Sequence, residues 1–230
     1  MNRRVILCGI FSLMMGLSAF ADHDAAYYGL TADSYTQCLQ KAKAGDGEAM
    51  CILAKCYETG TGVKKDMKEA WEWYGKSAVE GCTEAQYVIG TLYRDGIGTK
   101  KDHQESAYWF RKAARNGHTE ALLNIGRQFE NGDGVLPDNR VAAENYWRAA
   151  ERGSAEGAFR YAVMLRDGIG VSKDLPRSLK YFKMAAAKDY PDAAYQAGLL
   201  ENKGVKVNSR PSRPAKTGGG SKKGNVGKKK

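Results

Sequence analysis

The fold is decided by the stretch Glu58-Thr-Gly-Thr-Gly-Val-Lys-Lys-Asp66, whose pattern the chain repeats three more times. A pair of glycines separated by one residue recurs every 36 residues, at Gly60/Gly62, Gly96/Gly98, Gly132/Gly134 and Gly168/Gly170. An aspartate recurs at the same interval, at Asp66, Asp102, Asp138 and Asp174. A fixed period over most of a chain predicts a repeat array and not a single globular core.

Each period carries two amphipathic helical patterns, with small or apolar residues at i, i+3, i+4, i+7 and i+8. In the first unit these residues are Ala49, Ile52, Leu53, Cys56 and Tyr57, followed by Ala70, Trp73, Tyr74, Ser77 and Ala78. The first glycine of each pair can take the left-handed conformation that ends a helix. The aspartate six residues later can cap the next helix. Each unit is therefore predicted to be a helix, a glycine-rich turn and a second helix.

This unit resembles the Sel-one-like repeat family, whose members are related to the tetratricopeptide repeats. The second unit carries the pattern at Ala85, Ile89, Gly90, Tyr93, Gly96, Gly98, Asp102, Trp109, Phe110, Ala113, Ala114 and Gly117. The later units drift, since Phe129 and Leu165 replace the tyrosine and Asn145 replaces a tryptophan. The resemblance covers residues 31 to 203. It implies an α-solenoid, and it implies binding more strongly than catalysis.

The predicted fold class is all-α, a solenoid of about four 36-residue helix-turn-helix repeats over residues 33–203. The repeats are placed at 45–80, 81–116, 117–152 and 153–188, followed by a partial repeat at 189–203. Residues 33–44 are predicted to form an N-terminal cap helix, since polar residues stand where the repeats carry apolar ones. A final unpaired helix is expected after Pro191.

Residues 1–21 have the pattern of a signal peptide. Arg3 and Arg4 precede an apolar run at 5–17, and Ala19-Phe-Ala21 supplies a small-x-small cleavage site. A membrane anchor is the alternative, but the apolar run is short for a membrane span. We therefore expect export to a periplasm-like or extracellular space, a mature protein that begins at Asp22, and an unstructured lead-in at 22–32.

The formal charge of +10 belongs to the end of the chain. Residues 22–202 hold 24 basic and 26 acidic residues, whereas residues 203–230 hold ten basic residues and no acidic one. The near-neutral body does not predict a specific nucleic-acid interface. The basic tail at 204–230 has no apolar periodicity, so it is predicted to be disordered and able to bind an anionic surface.

Four cysteines remain after the signal peptide, at Cys38, Cys51, Cys56 and Cys82. An even number in an oxidising compartment favours disulfides, with three connectivities open. We expect Cys38–Cys56 to form first and Cys51–Cys82 to be strained or absent, because Cys82 begins a helix about 15 Å along the axis from the level of Cys56. Cys-x4-Cys without clustered histidines is poor zinc spacing, so no metal site and no cofactor are predicted.

No catalytic constellation is evident. Of the three histidines, His103 and His118 stand at predicted helix starts, where capping or solvent exposure is expected, and His23 lies in the lead-in. A cysteine-rich branch of the family has been linked to β-lactam binding and hydrolysis, which makes a β-lactam or peptidoglycan enzyme the alternative function. The chain carries one matching triplet, Lys216-Thr-Gly218, but no Ser-x-x-Lys. Catalysis is therefore not the favoured prediction.

Three aromatic residues do not recur between units, namely Trp71, Tyr108 and Trp147. Their equivalents elsewhere include Ala107, Glu72 and Arg111, so the fold itself does not require an aromatic ring there. Either local packing or a partner explains them: packing is the favoured interpretation for Trp71, both stay open for Trp147 and Tyr108, and all three are candidate partner-binding residues. The favoured function is an exported scaffold that binds a protein or peptide in the cell envelope.

A further stripe alternates in charge along the units, at Glu58, Arg94, Glu130 and Arg166. If equivalent helices stand side by side, each charge is expected to face its opposite in the next unit.

Overall fold

The computed structural model describes residues 32–207. The predicted signal peptide, the lead-in up to residue 31 and the tail beyond residue 207 lie outside the described residues. The described part contains ten helices and no strand: α1 Ala32–Lys43, α2 Gly47–Thr59, α3 Met67–Val79, α4 Thr83–Asp95, α5 His103–Arg115, α6 Thr119–Asn131, α7 Asn139–Glu151, α8 Ala155–Asp167, α9 Leu175–Ala186 and α10 Ala193–Asn202. The predicted all-α solenoid is confirmed.

Each helix makes its main contacts with its neighbours along the chain, which is the packing of a solenoid. The cap helix α1 packs on α2, and α10 packs on α9 without a helix after it in the described part of the chain. One recurring position of the second helices carries a buried aromatic ring in every repeat: Tyr74, Phe110, Tyr146 and Phe182.

The local signals of the repeat act as predicted. The first glycine of each pair is left-handed and ends the first helix, with φ of 82°, 73°, 81° and 77° at Gly60, Gly96, Gly132 and Gly168. The carboxylate of each recurring aspartate caps the second helix by accepting from its first backbone amides, at Asp66, Asp102, Asp138 and Asp174. These two residues set where the helices of each repeat end and begin.

The second glycine of each pair lets the turn lie against the preceding repeat. A methyl group at Gly134 would run into the backbone of His103, and one at Gly170 would run into the backbone of Asn139. At Gly98 the obstacle would be the indole of Trp71. Because these glycines also have positive φ, the turn has both a conformational and a steric reason to exclude a side chain.

The expectation that the alternating charges face one another is wrong. Two of the acids accept short hydrogen bonds from tyrosines of their own repeat, Glu58 from Tyr74 and Glu130 from Tyr146, both at 2.6 Å. Each arginine instead donates two hydrogen bonds to the carboxylate of the aspartate that follows it. Each also donates to a side-chain amide oxygen 30 residues further along the chain, Arg94 to Asn124 and Arg166 to Gln196, both at 2.8 Å. Successive first helices are thus offset along their axes, so the end of one lies beside the middle of the next.

Candidate partner-binding surface

Trp71 is placed in a contact between repeats. Its indole Nε1 donates to the carbonyl of Ile97 at 2.9 Å, and its ring meets Tyr93 edge-on with centroids 5.5 Å apart. The ring also covers Gly98 in the turn of the following repeat. These contacts give Trp71 a packing role that accounts for an aromatic residue at this one position.

Trp147 also packs between repeats. It is half-buried against the main hydrophobic core and hydrogen-bonds to Tyr181 on α9. The Tyr181 hydroxyl in turn donates to Glu151 at 2.9 Å. Trp147 therefore packs between α7 and α9, and the other repeats carry Gly75, Arg111 and Lys183 at the equivalent position.

Tyr108 is different, because 47% of its surface is exposed. Its ring meets Trp109 edge-on at 5.2 Å, and Lys112 Nζ lies 5.0 Å from the Tyr108 centroid and 4.9 Å from that of Trp109. An exposed aromatic ring that its neighbours already hold in place loses little conformational freedom on binding. Of the three predicted residues, Tyr108 is the one best placed to contact a partner.

A recess opens between the second helices α5 and α7, and residues of α6 complete its lining. It has a volume of about 280 Å³. Apolar side chains of Ile125, Phe129 and Val141 line it together with Asn145. Its charged lining residues are Arg111, Arg115, Arg148 and Glu144.

The recess exists because the repeat pattern breaks at Asn145. The equivalent residues are Trp73, Trp109 and Tyr181, so every other repeat has a large ring at this position. Asn145 is 7% exposed and turns its amide back to the carbonyl of Val141 at 2.8 Å. The short side chain leaves unfilled the volume that a ring occupies elsewhere.

The recess is electropositive. None of its three guanidinium groups forms a salt bridge with a carboxylate in the described part of the chain. Arg111 lies over the ring of Phe129, 5.8 Å from its centroid. The sequence pattern marked Asn145 only as a departure from the family and did not predict these arginines. The sequence would have predicted the recess only if Asn145 had been considered together with Arg111, which lies on the neighbouring second helix.

A profile of the Sel1 repeat matches residues 47–81, 83–118, 119–154 and 155–190. The chain belongs to the Sel1 repeat family. It is a Sel1-repeat scaffold, a type of structure that typically mediates protein–protein interaction.

Two solved structures of Sel1-type proteins resemble this chain. One is a protective antigen present in uropathogenic Escherichia coli strains that displays an SLR fold, 30% identical with a TM-score of 0.70 over 76% of this chain and 38% of that one. The other is a Sel1 repeat protein from Oxalobacter formigenes, 32% identical with a TM-score of 0.64 over 77% of this chain and 72% of that one. This chain thus spans less than half of the E. coli protein. A search among curated proteins found no match.

The cysteines lie where the first Sel1 repeats meet. The thiols of Cys51 and Cys82 are hydrogen-bonded to each other, and both contact the hydroxyl of Ser77. All four cysteines of the described residues are free, so a Cys51–Cys82 disulfide that is strained or absent stays a prediction. The axial separation of about 15 Å was expected between Cys82 and Cys56. Cys51 lies more than one turn nearer the start of α2 than Cys56 does, and so lies closer to the level of Cys82. Cys38 donates to the carbonyl of Ala49 at 3.3 Å, and its pairing with Cys56 stays a prediction.

The two thiols of the Cys51–Cys82 pair differ in acidity. The hydrogen bond from Cys51, together with the amides of Ala85 and Glu84 at the start of α4, lowers the pKa of Cys82 to about 6. The same hydrogen bond and burial raise the pKa of Cys51 above its ordinary value. Cys82 is therefore the more acidic thiol of the pair and the one that forms a thiolate first.

His118 caps a helix, as predicted. Its Nδ1 accepts from the Ala121 amide at 3.2 Å, and its Nε2 lies 3.3 Å from Glu84, whose pKa it lowers. His103 differs from the expectation, since it is half-buried under the turn at Gly134 and Asp102 is the residue that caps α5. Neither histidine contacts the recess.

No helix within residues 32–207 has the length and apolar character needed to cross a membrane. In the same range no three His, Cys, Asp or Glu side chains are grouped as metal ligands. His23 and Lys216-Thr-Gly218 lie outside the described residues.

Proposed function

We propose that this chain is an exported Sel1-repeat scaffold that binds a protein or peptide of the cell envelope on the surface formed by α5 and α7. The observation that carries the proposal is the recess at Asn145, where the repeat lacks the ring that otherwise fills this position. Tyr108 extends the same surface, because it precedes Arg111 by three residues and so shares its face of α5. The signal-peptide pattern of residues 1–21 supports export.

Site-specific photo-crosslinking in the native cell tests the binding surface. A photoreactive residue at Tyr108 is expected to give a discrete crosslinked partner. The same residue at Leu136, 87% exposed in the turn before α7, is the control and is expected to give none. No product at position 108, or the same products at both positions, would reject the assignment.

Alanine variants separate binding from folding. Tyr108→Ala is expected to lower the free energy of unfolding by less than about 1 kcal/mol, because the side chain is half-exposed. With the photoreactive residue placed at a neighbouring surface position, Tyr108→Ala is also expected to abolish the crosslink to the partner. Phe110→Ala, two residues away and fully buried, is expected to cost about 3–5 kcal/mol by leaving a cavity. Thermal melts and crosslinking on the same two proteins decide between the roles.

Export is tested by the intact mass of the protein recovered outside the cytoplasm. The expected product begins at Asp22. A recovered protein that keeps residues 1–21 would reject cleavage and with it the oxidising environment proposed for the cysteines.

The basic tail favours a second function, the binding of a polyanionic surface. Ten basic residues and no acidic one fall within residues 203–230. Such contacts depend strongly on ionic strength and need no defined pocket. Truncation after Val207 separates this activity from that of the repeats.

A further inference from the structure

We propose that the recess between α5 and α7 is a carboxylate pocket, which takes an Asp or Glu side chain of the partner's peptide with an apolar side chain of that peptide beside it. This inference rests on the proposed function and specifies the chemistry of the partner. It is carried by four features of the recess: its charge, its apolar lining, its size and the face of α5 that Arg111 shares with Tyr108.

The charge of the recess selects an anion. Three arginines and one glutamate line it, an excess of two positive charges. The planar guanidinium group presents parallel N–H donors that match the two oxygens of a carboxylate. Arginines in the body of this protein that lie near acids do pair with them, as Arg127 and Arg160 do with Glu156 at 2.6 Å. The three guanidinium groups at the recess have no such partner in the described residues, and Glu144 leaves the balance positive.

The apolar lining of the recess selects a peptide over a nucleic acid or another polyphosphate. Ile125, Phe129 and Val141 present apolar surface directly beside the guanidinium groups. A phosphate chain would leave this surface unused, whereas an acidic residue flanked by an apolar one would cover both parts. Two arginines come from one helix, Arg111 and Arg115 on α5, and the third, Arg148, comes from α7, so the positive charges line one recess from two helices.

The size of the recess suits a side chain. Pockets for small molecules occupy about 300–1,000 Å³, and this one, at about 280 Å³, lies below that range. In the neighbouring repeats the same position is filled by one aromatic side chain of the protein itself. A residue of the partner therefore takes the place that Trp109 or Tyr181 holds in the repeats on either side.

The chain's own C-terminal segment is a poor occupant, because it carries the same sign of charge as the recess. Residues 203–230 contain no carboxylate side chain. The peptide instead runs along α5, with Tyr108 and Lys112 beside it and its acidic residue in the recess. This path joins the predicted aromatic contact to a pocket that the sequence did not predict.

The test compares the full-length mature protein with its Asn145→Trp variant, which restores the residue found in the first two repeats. The substitution fills the recess without removing any of the arginines, and both proteins keep the same basic tail. The probe is an array of synthetic peptides that place Glu, Gln or Lys beside Phe, Leu or Gly. Dissociation constants follow from fluorescence anisotropy of the best binders.

Wild-type protein is expected to select peptides with Glu beside Phe or Leu. Replacing Glu by Gln in those peptides is expected to weaken binding about tenfold or more, since a hydrogen-bonded charge is lost. Asn145→Trp is expected to weaken the Glu peptides by a similar factor while melting at the same or a higher temperature. Should Asn145→Trp fail to fold, Arg148→Gln at the rim is the second variant, with the same expected loss for Glu peptides and none for Gln peptides.

Equal binding of Glu and Gln peptides would overturn the inference, as would unchanged binding of Glu peptides by Asn145→Trp. Stronger binding of Lys peptides would assign the site to Glu144 and overturn it as well. In each case a discrete crosslinked partner at Tyr108 would leave the proposed function standing. If the protein with the photoreactive residue at position 108 gave no crosslinked partner, the proposed function would be rejected, whatever the peptide array shows. A change of oligomeric state in Asn145→Trp, measured by light scattering, would instead identify a second copy of this chain as the occupant.

Discussion

At the scale of single residues, the alternation of Glu and Arg along the repeats is matched by an alternation of Tyr and Phe in the second helices. The repeats with an acid carry a tyrosine, at Glu58/Tyr74 and Glu130/Tyr146, and those with an arginine carry a phenylalanine, at Arg94/Phe110 and Arg166/Phe182. The hydroxyl is present only where a carboxylate can accept from it. The chain therefore has a longer period, two repeats in length, laid over the single repeat.

Tyr146→Phe tests this pairing. Tyr146 is fully buried, and removal of its hydrogen bond to Glu130 is expected to cost about 1.5–3 kcal/mol, because the acceptor is charged. Urea unfolding measures the loss. Tyr108→Phe is the control, since its hydroxyl makes no hydrogen bond to the described residues, and it is expected to change stability by less than about 0.5 kcal/mol.

The same variant has a defined pH dependence. Burial, with the hydrogen bond to Glu130, raises the pKa of Tyr146 above its ordinary value. A raised pKa means that this contribution is fully present below the unfolded value of about 10 and is lost as pH rises through the folded value. The stability difference between wild type and Tyr146→Phe should therefore narrow above about pH 10. A constant difference would show that the hydroxyl acts through packing alone.

The cysteine pair gives a second prediction at this scale. With oxidised glutathione, the Cys82 thiolate attacks one sulfur and releases reduced glutathione. Cys51 then loses its proton, attacks the mixed disulfide and releases the second glutathione. Non-reducing peptide mapping is expected to find Cys51 joined to Cys82, linking the first two repeats.

Alkylation of the reduced protein checks the acidity of this pair. Iodoacetamide at neutral pH is expected to label Cys82 before Cys38 and Cys56, since burial raises the pKa of both latter thiols, that of Cys56 to about 11. The labelling rate at Cys82 should rise through about pH 6, where its thiolate forms. Equal labelling of Cys56 and Cys82 at neutral pH would contradict the placement of Cys82 at the start of α4.

At the scale of elements, the sequence predicted what depends on the local backbone. The glycines that end helices and the aspartates that begin them were placed correctly, because each acts on amides and carbonyls within a few residues. The partners of Arg94 and Arg166 were predicted wrongly, since they depend on how far one helix is displaced along its neighbour. A single sequence contains no measure of that displacement.

Gly134→Ala tests the contact between a turn and the preceding repeat. The alanine would have to adopt φ of 72° and would meet the backbone of His103, so a loss well above the roughly 1–2 kcal/mol of left-handed strain is expected. Gly75→Ala is the matched control, since Gly75 lies within α3 with open space around it. It is expected to gain about 0.5–1 kcal/mol from helix propensity. Thermal melts that show equal effects would mean that the turn moves freely on the repeat beneath it.

At the scale of the whole molecule, the recess is a property of two neighbouring repeats and of neither alone. Between successive second helices Trp147 meets Tyr181, and Arg111 lines one recess with Asn145. The same offset along the sequence relates two further pairs, Leu39/Trp73 and Gly75/Trp109. Each of these pairs has a large ring at its second position except Arg111/Asn145. An alignment of the repeats shows the substitutions at Arg111 and Asn145 as two separate changes. Because these residues lie on successive second helices of the structure, the two changes together leave one recess.

The end of the solenoid carries the last prediction. Val205 packs against the main core and its amide donates to the Leu200 carbonyl, so the described fold continues past α10. A truncation that tests the tail is therefore placed after Val207. The remaining mature chain, residues 22–207, has 26 basic and 26 acidic residues, whereas the removed segment has eight basic residues and no acidic one.

This truncation is expected to leave the melting temperature unchanged within about a degree, because the folded contacts of the solenoid are all retained. It should abolish retention on a cation-exchange matrix at neutral pH and remove salt-sensitive binding to heparin. A cut after Asn202 is the comparison, and it should melt lower because Val205 is lost from the core. If the truncation after Val207 also melted several degrees lower, the tail would have to cover the face of α10 on which Tyr195 and Leu199 are exposed. The tail would then stabilise the folded solenoid, and its role would not be the binding of an anionic surface.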